Sequence, residues 1–117
     1  MTHCMNLNPL PFAMIAEGKK TIELRLWDEK RQQISVGDIL IFTNTADRSA
    51  TLQCKVRKLH RFPDFATLYR TLPLAQCGYL PEELSTADPA DMDIYYSKEM
   101  QSLYGVVGIE LERIFSA

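Results

Sequence analysis

The segment TIELRL, residues 21–26, alternates polar and apolar side chains without interruption. Because successive side chains of a β-strand point to opposite faces of the sheet, this alternation predicts a strand whose aliphatic side chains lie on a buried face. Thr21, Glu23 and Arg25 then lie in one row on the other face. Such a strand needs a partner layer to cover its apolar face, so the chain must fold around a sheet.

The rest of the sequence predicts further strands and short helices. Along the longest predicted strand the apolar parity shifts between Val56 and Leu59, which predicts a bulge between them. The predicted strands cover residues 3–8, 20–27, 38–44, 49–62 and 105–115, and the predicted helices cover residues 11–17, 63–72 and 88–103. Helices between the first two strands and before the last strand favour an α+β fold, a small mixed β-barrel with short helices over its openings.

The last predicted helix carries both core residues and candidate functional residues. Asp88 is a suitable N-cap, and Pro89 fits the first helical position. Tyr95 and Glu99 are four residues apart, so on a continuous helix they are neighbours on one face. The helical period also predicts a buried stripe of Met92, Tyr96, Met100 and Leu103.

The chain has 117 residues, of which 46% are hydrophobic, and this is enough for one domain over residues 1–117 with a single core. No run of about 18 apolar residues and no basic-then-apolar N-terminal segment occurs, so neither a membrane span nor a signal peptide is predicted. Cys4, Cys54 and Cys77 form an odd set without paired spacing, which is typical of reduced thiols. A cytoplasmic protein is therefore expected.

Charge is distributed unevenly along the chain, although the formal net charge is only −2. Residues 1–70 hold eleven Lys or Arg and seven Asp or Glu, whereas residues 71–117 hold two and eight. Lys55 and Arg57, in the segment KVRKLHR, share a strand face and would suit a phosphate backbone. Two interpretations follow: either the basic part offers a face to a nucleic acid, or the two parts neutralise each other in space.

The common catalytic motifs are absent, since the chain contains no Gly-rich phosphate loop, no GxSxG and no HExxH. His3, Cys4 and His60 would be awkward zinc ligands, because the adjacent pair would point to opposite faces of a strand. No cysteine lies in a sequence context that would activate its thiol. Neither a metal nor a cofactor is expected.

The remaining candidate for chemistry is Lys20 with its charged neighbours. Lys19 and Arg25 would favour the neutral amine, which can act as a base or nucleophile, whereas Glu23 would stabilise the ammonium form. The sequence leaves open which effect dominates. The alternative interpretation is a structural strand on which Glu23 and Arg25 pair with side chains of neighbouring strands.

Several segments, taken in order, resemble the ASCH (activating signal cointegrator homology) family of PUA-like domains. They are PFAMIAEGKKTIELRL, VGDILIF, HRFPDFATLY, and YYSKEM followed by YGVVGIEL. The most specific part is the pattern G-x-K-x-x-E-x-R, here Gly18, Lys20, Glu23 and Arg25. The resemblance spans nearly the whole chain, and it implies a PUA-like β-barrel whose cleft, between barrel and helices, binds RNA or a nucleoside.

The same resemblance also implies candidate reactions. Some small members of this superfamily are amidohydrolases that remove the acetyl group from N4-acetylcytidine with a lysine, a threonine and a downstream glutamate. Lys20 matches the lysine, but Glu23 occupies the position of the threonine, so Thr21 would have to substitute for it. Glu99 is favoured over Glu83 as the downstream acid. Other relatives are ribonucleases, in which a lysine and a tyrosine would act on the phosphoryl transition state.

The resemblance thus gives Lys20, Glu23 and Glu99 as candidate catalytic residues. Its candidate ligand-binding residues are Arg25, Thr21, Tyr95 and Tyr96. The favoured function is binding of RNA or a modified nucleoside, extended to hydrolysis of N4-acetylcytidine-type amides. The alternatives are a metal-independent ribonuclease acting on single-stranded RNA and a non-catalytic interaction module. The sequence does not predict an oligomeric state.

Overall fold

The computed structural model describes residues 1–115, which contain five strands and three α-helices in the predicted order. The strands are β1 (Thr2–Leu7), β2 (Ile22–Leu26), β3 (Ile39–Asn44), β4 (Asp47–Phe62) and β5 (Val106–Ile114). The helices are α1 (Pro9–Ala16), α2 (Phe65–Thr71) and α3 (Lys98–Tyr104). Short 3₁₀ segments lie at Arg31–Gln33, Leu74–Cys77, Pro81–Glu83 and Pro89–Ile94.

The five strands form one sheet in the order β1-β3-β4-β5-β2. β1 runs parallel to β3, and the other neighbouring pairs are antiparallel. The sheet curls into a half-barrel that brings its edge strands together, so that Arg25 Nη2 on β2 donates to the carbonyl of Asn6 on β1 over 2.8 Å. We call the gap between β1 and β2 the seam. The predicted α+β barrel flanked by short helices is confirmed in this half-barrel form.

β4 spans 16 residues and carries a bulge near its middle. Val56 pairs with Leu111 and Lys58 pairs with the preceding residue of β5, so Arg57 is an extra residue in the ladder. The extra residue allows both Val56 and Leu59 to pack on the core although they are three positions apart. The predicted bulge is confirmed.

Apolar side chains form two clusters, one on each face of β5. Val107 and Ile109 belong to the barrel core on the concave face, whereas Val106 faces the helices. Glu23 pairs with Ile109 and Arg25 pairs with Val107, so both charged side chains share the concave face. The predicted core stripe of α2 lies in the helix-side cluster, at most 9% exposed: Phe65, Leu68, Tyr69 and Leu72.

The prediction of a single helix over residues 88–103 is wrong. The 3₁₀ segment begins after Asp88, whose carboxylate accepts a hydrogen bond from the Ala90 amide at 2.8 Å. The chain then turns, and α3 begins after Ser97, whose hydroxyl accepts from the Met100 amide at 3.2 Å. Serine side chains bind nearby backbone amides and therefore favour the start of a new helix over the continuation of an old one.

This break also changes the predicted burial. Met92 is 9% exposed and Tyr96 is half-buried, as the stripe requires, but Met100 and Leu103 are 42% and 70% exposed.

Among the described residues the longest α-helix has eight residues, and no helix is long and apolar enough to cross a membrane.

Candidate functional site: a charged cleft at the seam

A cleft of about 730 Å³ lies along the seam, at the free edge of β2. The end of β1 and α1 form one wall, and the segments that follow α2 form the other. Its polar lining residues are Asn6, Asn8, Lys20, Glu23, Arg25, Thr45, Tyr69, Tyr79, Glu83, Asp91, Tyr95 and Tyr96. The cleft therefore lies between barrel and helices, where the sequence resemblance placed it.

Glu23 lies in this cleft between two cations. Its Oε1 accepts a hydrogen bond from Lys20 Nζ at 2.7 Å, and its Oε2 lies 2.8 Å from both Nε and Nη2 of Arg25. The Glu23 side chain is 5% exposed, and those of Lys20 and Arg25 are 11% and 14% exposed. We call these three residues the triad. Three of the predicted site residues thus form one buried ion-pair cluster.

Burial and charge act in opposite directions on the triad. Burial alone would raise the pKa of the Glu23 carboxyl, but the charges of Lys20 and Arg25 and their hydrogen bonds outweigh it and hold this pKa below its usual value. Burial would lower the pKa of the Arg25 guanidinium, and the adjacent Glu23 carboxylate raises it by more. Glu23 is therefore ionised at neutral pH, and its two oxygens fix the positions of both partners.

The backbone around Lys20 is held by residues on both sides of the cleft. α1 ends just before Gly18, which adopts a φ of 77° that glycine accepts at no steric cost. The Lys20 amide then donates to the carbonyl of Met14 at 3.1 Å. The side-chain stem packs against Gly78, where an added Cβ atom would lie only 3.2 Å from Lys20 Cδ. These contacts direct the amine towards Glu23.

Arg25 joins the two edge strands of the half-barrel. Its Nη2 contacts both the Glu23 carboxylate and the carbonyl of Asn6. Its Nη1 makes no hydrogen bond to any residue of the described part of the chain, although the side chain lines the cleft. Arg25 therefore bridges the seam through Nη2, and the two N–H groups of its Nη1 are available to a ligand.

A chain of hydroxyl groups belongs to the helix-side wall. Tyr79 donates to Asp91 Oδ2 at 2.7 Å, and the hydroxyls of Tyr69 and Tyr79 lie 2.6 Å apart. Since the single proton of Tyr79 is used towards Asp91, Tyr69 is the donor in the second bond. Burial, the bond to Tyr69 and the bond to Asp91 together raise the pKa of Tyr79 far above its usual value. Both phenols are thus neutral, and Asp91 is oriented within the cleft.

Tyr95 and Tyr96 lie at the break before α3, and both line the cleft. The Tyr96 ring stacks on Phe65 with 6.2 Å between centroids and 17° between planes. Burial raises the pKa of the Tyr96 hydroxyl, against the opposing charge of Arg25. Tyr95 is 60% exposed. Tyr96 is therefore a fixed part of the wall, whereas Tyr95 presents a ring that a ligand can cover.

Thr21 does not line the cleft. Its hydroxyl donates to Gln76 Oε1 at 3.3 Å, and its amide donates to the Gln76 carbonyl at 2.9 Å. Thr21 lies just before β2, and the hydrogen bond to Gln76 engages its hydroxyl outside the lining of the cleft. The Thr21 hydroxyl is therefore not part of the cleft that holds the Lys20 amine.

Glu99 does not line the cleft either. It lies in the first turn of α3 and is exposed. The expectation that it shares a helix face with Tyr95 is wrong, because the two residues lie on opposite sides of the break at Ser97. Glu83, the other acid considered, does line the cleft, and its Oε1 accepts from the Leu80 amide at 2.8 Å.

Sequence reasoning missed Asn6, Tyr79 and Asp91 as site residues. Asp91 fits the acidic first turn of a helix, so its local context indicates only a capping role. Tyr79 lies in a turn-rich segment without hydrophobic periodicity, so no sequence signal gives the direction of its side chain. Asn6 contributes a backbone carbonyl, which carries no side-chain signature.

The other candidate ligand groups are scattered. His3 Nε2 lies 2.8 Å from Asp38 and His60 Nε2 lies 3.3 Å from Glu110, while Cys4 is exposed. The hydrogen bond with His3, aided by a backbone amide, lowers the pKa of Asp38 to about 2. Within residues 1–115, no group of three or more His, Cys, Asp or Glu side chains is arranged to hold a metal ion.

The fold and the site together define a class of protein. A curled five-stranded half-barrel, with short helices on one side and a charged cleft along its seam, is a PUA-like β-barrel domain. The family model described as "ASCH domain" matches residues 5–115. The chain therefore belongs to the ASCH domain family, which is generally associated with RNA binding. The resemblance carried by the G-x-K-x-x-E-x-R motif is confirmed.

Solved structures agree with this assignment. The hypothetical protein PH0355 is 32% identical, with a TM-score of 0.78, and the alignment covers 97% of this chain and 100% of that one. Protein PF0455 from Pyrococcus furiosus is 30% identical, with a TM-score of 0.71 and coverage of 99% and 100%. A mutant ASCH protein from Zymomonas mobilis shares the fold at 13% identity, with a TM-score of 0.67 and coverage of 95% and 67%. No curated protein matches the chain.

Proposed function

We propose that the domain binds a nucleoside unit, either free or within single-stranded RNA, in the cleft at the seam. The observation that carries the proposal is the triad, in which the buried Glu23 holds Lys20 and Arg25 in fixed positions within the cleft. Donors that are fixed before binding lose little conformational entropy when a ligand arrives. The association of the family with RNA supports the class of ligand.

The charge of the cleft favours a base or ribose over a phosphate group. Lys20 and Arg25 are its cationic lining residues, whereas Glu23, Glu83 and Asp91 are acidic. Because the acids outnumber the cations, the cleft does not attract a polyanion strongly. A neutral ligand edge that carries both donors and acceptors can pair with Arg25 Nη1 on one side and with carboxylate oxygens on the other. A nucleobase has such an edge.

Tyr95 supplies the stacking surface in this proposal. Its ring is 60% exposed, and it belongs to the same lining as the triad. Stacking of a base on an aromatic side chain contributes about 1–3 kcal/mol. Tyr95→Ala is therefore expected to weaken nucleoside binding about tenfold, measured by calorimetry.

Calorimetric titration with cytidine, N4-acetylcytidine, uridine and adenosine tests the proposal. Lys20→Ala removes one triad cation and leaves Glu23 with a single partner, so we expect at least tenfold weaker binding. The control is Lys19→Ala, because Lys19 is 65% exposed, lies outside the cleft and, within residues 1–115, forms an ion pair only with Glu17 at 3.2 Å. Binding that is equal in the two variants would refute the assignment of the cleft, and so would the absence of binding of every nucleoside to the unmodified protein.

A second candidate function is hydrolysis of an N4-acetylcytidine-type amide. It is supported by the 2.7 Å contact between Lys20 and Glu23, which is short enough for proton transfer within the cleft. Lys20, after passing its proton to Glu23 over this contact, would activate water for addition to the acyl carbon, and Arg25 would stabilise the oxyanion. The proton taken from water then passes to the leaving nitrogen as the C–N bond breaks, which releases acetic acid, present as acetate at neutral pH, and cytidine with a neutral 4-amino group. Thr21 takes no part in this scheme.

Acetate release from N4-acetylcytidine separates binding from turnover. If the reaction occurs, Lys20→Ala should abolish it, while Lys19→Ala should not change it. Glu83→Gln and Glu99→Gln distinguish the two candidate acids, and we expect only the first to slow the reaction, because only Glu83 lines the cleft. Binding without acetate release would leave recognition as the function. Incubation of the protein with labelled single-stranded RNA, followed by separation of the cleavage products, tests the ribonuclease alternative.

A further inference from the structure

A second cavity lies at the far end of β2 and has no part in the proposed nucleoside cleft. Its volume is about 440 Å³, and its lining includes Trp27, Arg61, Phe62, Leu103 and Tyr104. Leu103, on helix α3, is 70% exposed. An open cavity with one cation and several apolar or aromatic walls is a suitable site for a planar, partly apolar ligand that carries negative charge.

Arg61 and Trp27 form the recognition surface of this cavity. The guanidinium carbon of Arg61 lies 4.8 Å from the centroid of the Trp27 ring. Trp27 is half-buried against the barrel core, and its amide donates to the Gly105 carbonyl at 3.0 Å, so the ring position is fixed. A guanidinium plane held on an indole offers an outer face for base stacking and N–H edges for phosphate oxygens.

The charge of the second cavity differs from that of the first. Arg61 makes no ion pair with any acid in residues 1–115, and no acidic residue lines the cavity. Glu29, which accepts a hydrogen bond from Tyr104 at 3.5 Å, lies outside the lining. The seam cleft therefore suits a neutral base, whereas the second cavity suits a group with negative charge.

Residues that line the two cavities are near neighbours in the sheet. Arg25 and Trp27 are two residues apart along β2 and its extension, which is about 6.6 Å along a strand. Arg25 and Arg61 both pair with Val107, so they lie in one cross-strand row two strand spacings, or about 10 Å, apart. Arg25 lines the first cavity and Arg61 lines the second.

We propose that the Trp27–Arg61 cavity is a second nucleotide subsite for single-stranded RNA, next to the seam cleft. The base of the adjacent nucleotide packs between Leu103 and the Arg61–Trp27 stack, and the phosphate that links the two nucleotides contacts the guanidinium edge of Arg61. This inference rests on the proposed function, because it assumes that the seam cleft holds the neighbouring nucleoside. It makes the preferred ligand an oligonucleotide of at least two units.

Trp27 provides a direct signal for the test, because it is the one tryptophan of the chain. Cytidine and a cytidine tetranucleotide are titrated separately, with binding measured by calorimetry and Trp27 emission recorded in parallel. Cytidine should bind without changing the emission. The tetranucleotide should quench the emission and bind about tenfold more tightly, since each stacked base adds affinity of this order.

Arg61→Gln tests the phosphate contact. For this variant we expect about tenfold weaker binding of the tetranucleotide, unchanged binding of cytidine, and a reduction of about 0.7 in the slope of log affinity against log salt concentration. The control is Lys58→Gln, which removes another exposed cation of β4 that lines neither cavity. Both positions are exposed, so neither change should prevent folding.

The outcomes separate the subsite from the seam cleft. Equal affinity for cytidine and the tetranucleotide with unchanged Trp27 emission would overturn the subsite and leave the seam proposal intact, as would equal behaviour of the two variants. Quenching by the tetranucleotide without any binding of cytidine would support the subsite while refuting the seam cleft as a nucleoside site. If neither cytidine nor the tetranucleotide binds, the subsite and the seam cleft are both refuted as nucleotide-binding sites.

Discussion

Glu23 determines the chemistry of the cleft at the scale of single residues. It is the one charged side chain among the buried residues of the described chain, and its two oxygens bind Lys20 and Arg25. The row of Glu23 and Arg25 could be predicted from strand alternation. The burial could not be predicted, because it depends on the curl of the sheet, which brings the Asn6 carbonyl against Arg25.

Replacement of Glu23 tests this burial. Glu23→Gln leaves two nearly buried cations without their anion, so we expect the free energy of unfolding at pH 7 to fall by about 3 kcal/mol. Chemical denaturation measures the change. The matched control is Glu17→Gln, because the exposed pair of Glu17 and Lys19 should contribute less than about 1 kcal/mol. Similar effects of the two substitutions would contradict the buried triad.

The pH dependence of stability gives an independent check on Glu23. Its pKa in the folded protein lies below the ordinary value of 4.5, so its contribution to stability is complete above that value and is lost as pH falls through the folded pKa. The unmodified protein should therefore lose stability below about pH 4.5 more steeply than Glu23→Gln does. Parallel curves of unfolding free energy against pH for the two proteins would exclude the proposed role of the carboxylate.

The three cysteines should differ sharply in reactivity. Cys54 and Cys77 are 0% and 5% exposed, and burial raises the pKa of both thiols to about 11, whereas Cys4 is exposed. At pH 8 a disulfide reagent such as DTNB should modify one thiol rapidly in the native protein and three after unfolding. Rapid native modification of two or three thiols would show that the cleft wall at Cys77 opens freely.

At the scale of secondary-structure elements, predictions from local sequence patterns were correct where tertiary contacts favour the same structure. The parity shift in β4 predicted a bulge because each half of the strand must bury its own apolar side chains. The helix predicted for residues 88–103 failed because a good N-cap at Asp88 and continuous helical periodicity do not reveal a second cap. Ser97 ends the regular pattern there, and Leu103 becomes exposed beside the second cavity.

Deletions in β4 test the bulge. Removing Arg57 should leave Val56 facing inward and Lys58 facing outward, since their pairings already match a regular ladder without the extra residue. Removing Lys55 instead should turn Val56 outward and bring Arg57 into the core. We expect the second deletion to be more destabilising by at least about 3 kcal/mol, from lost Val56 burial and a buried charge. Thermal or denaturant unfolding that ranks the deletions the other way would contradict this register.

At the scale of the whole molecule, the seam links fold and proposed function. The half-barrel leaves β1 and β2 without a strand partner on their free edges, and Arg25 spans the gap while it lines the cleft. The basic residues of the first 70 positions and the acids of the later segments meet here, as shown by Lys20 and Asp91 in one lining. The sequence indicated this segregation of charge, but only the fold shows that the two parts face each other across a cleft.

The most direct test of the central claim is an NMR titration of the isotope-labelled protein with cytidine and N4-acetylcytidine, followed through backbone amide shifts. Residues 20–25, 77–79 and 91–96 should show the largest changes, since these segments carry the triad and the opposing wall. The same changes should be strongly reduced in Lys20→Ala and retained in Lys19→Ala. Shift changes confined to other surfaces, with these three segments unaffected at saturation, would contradict the account.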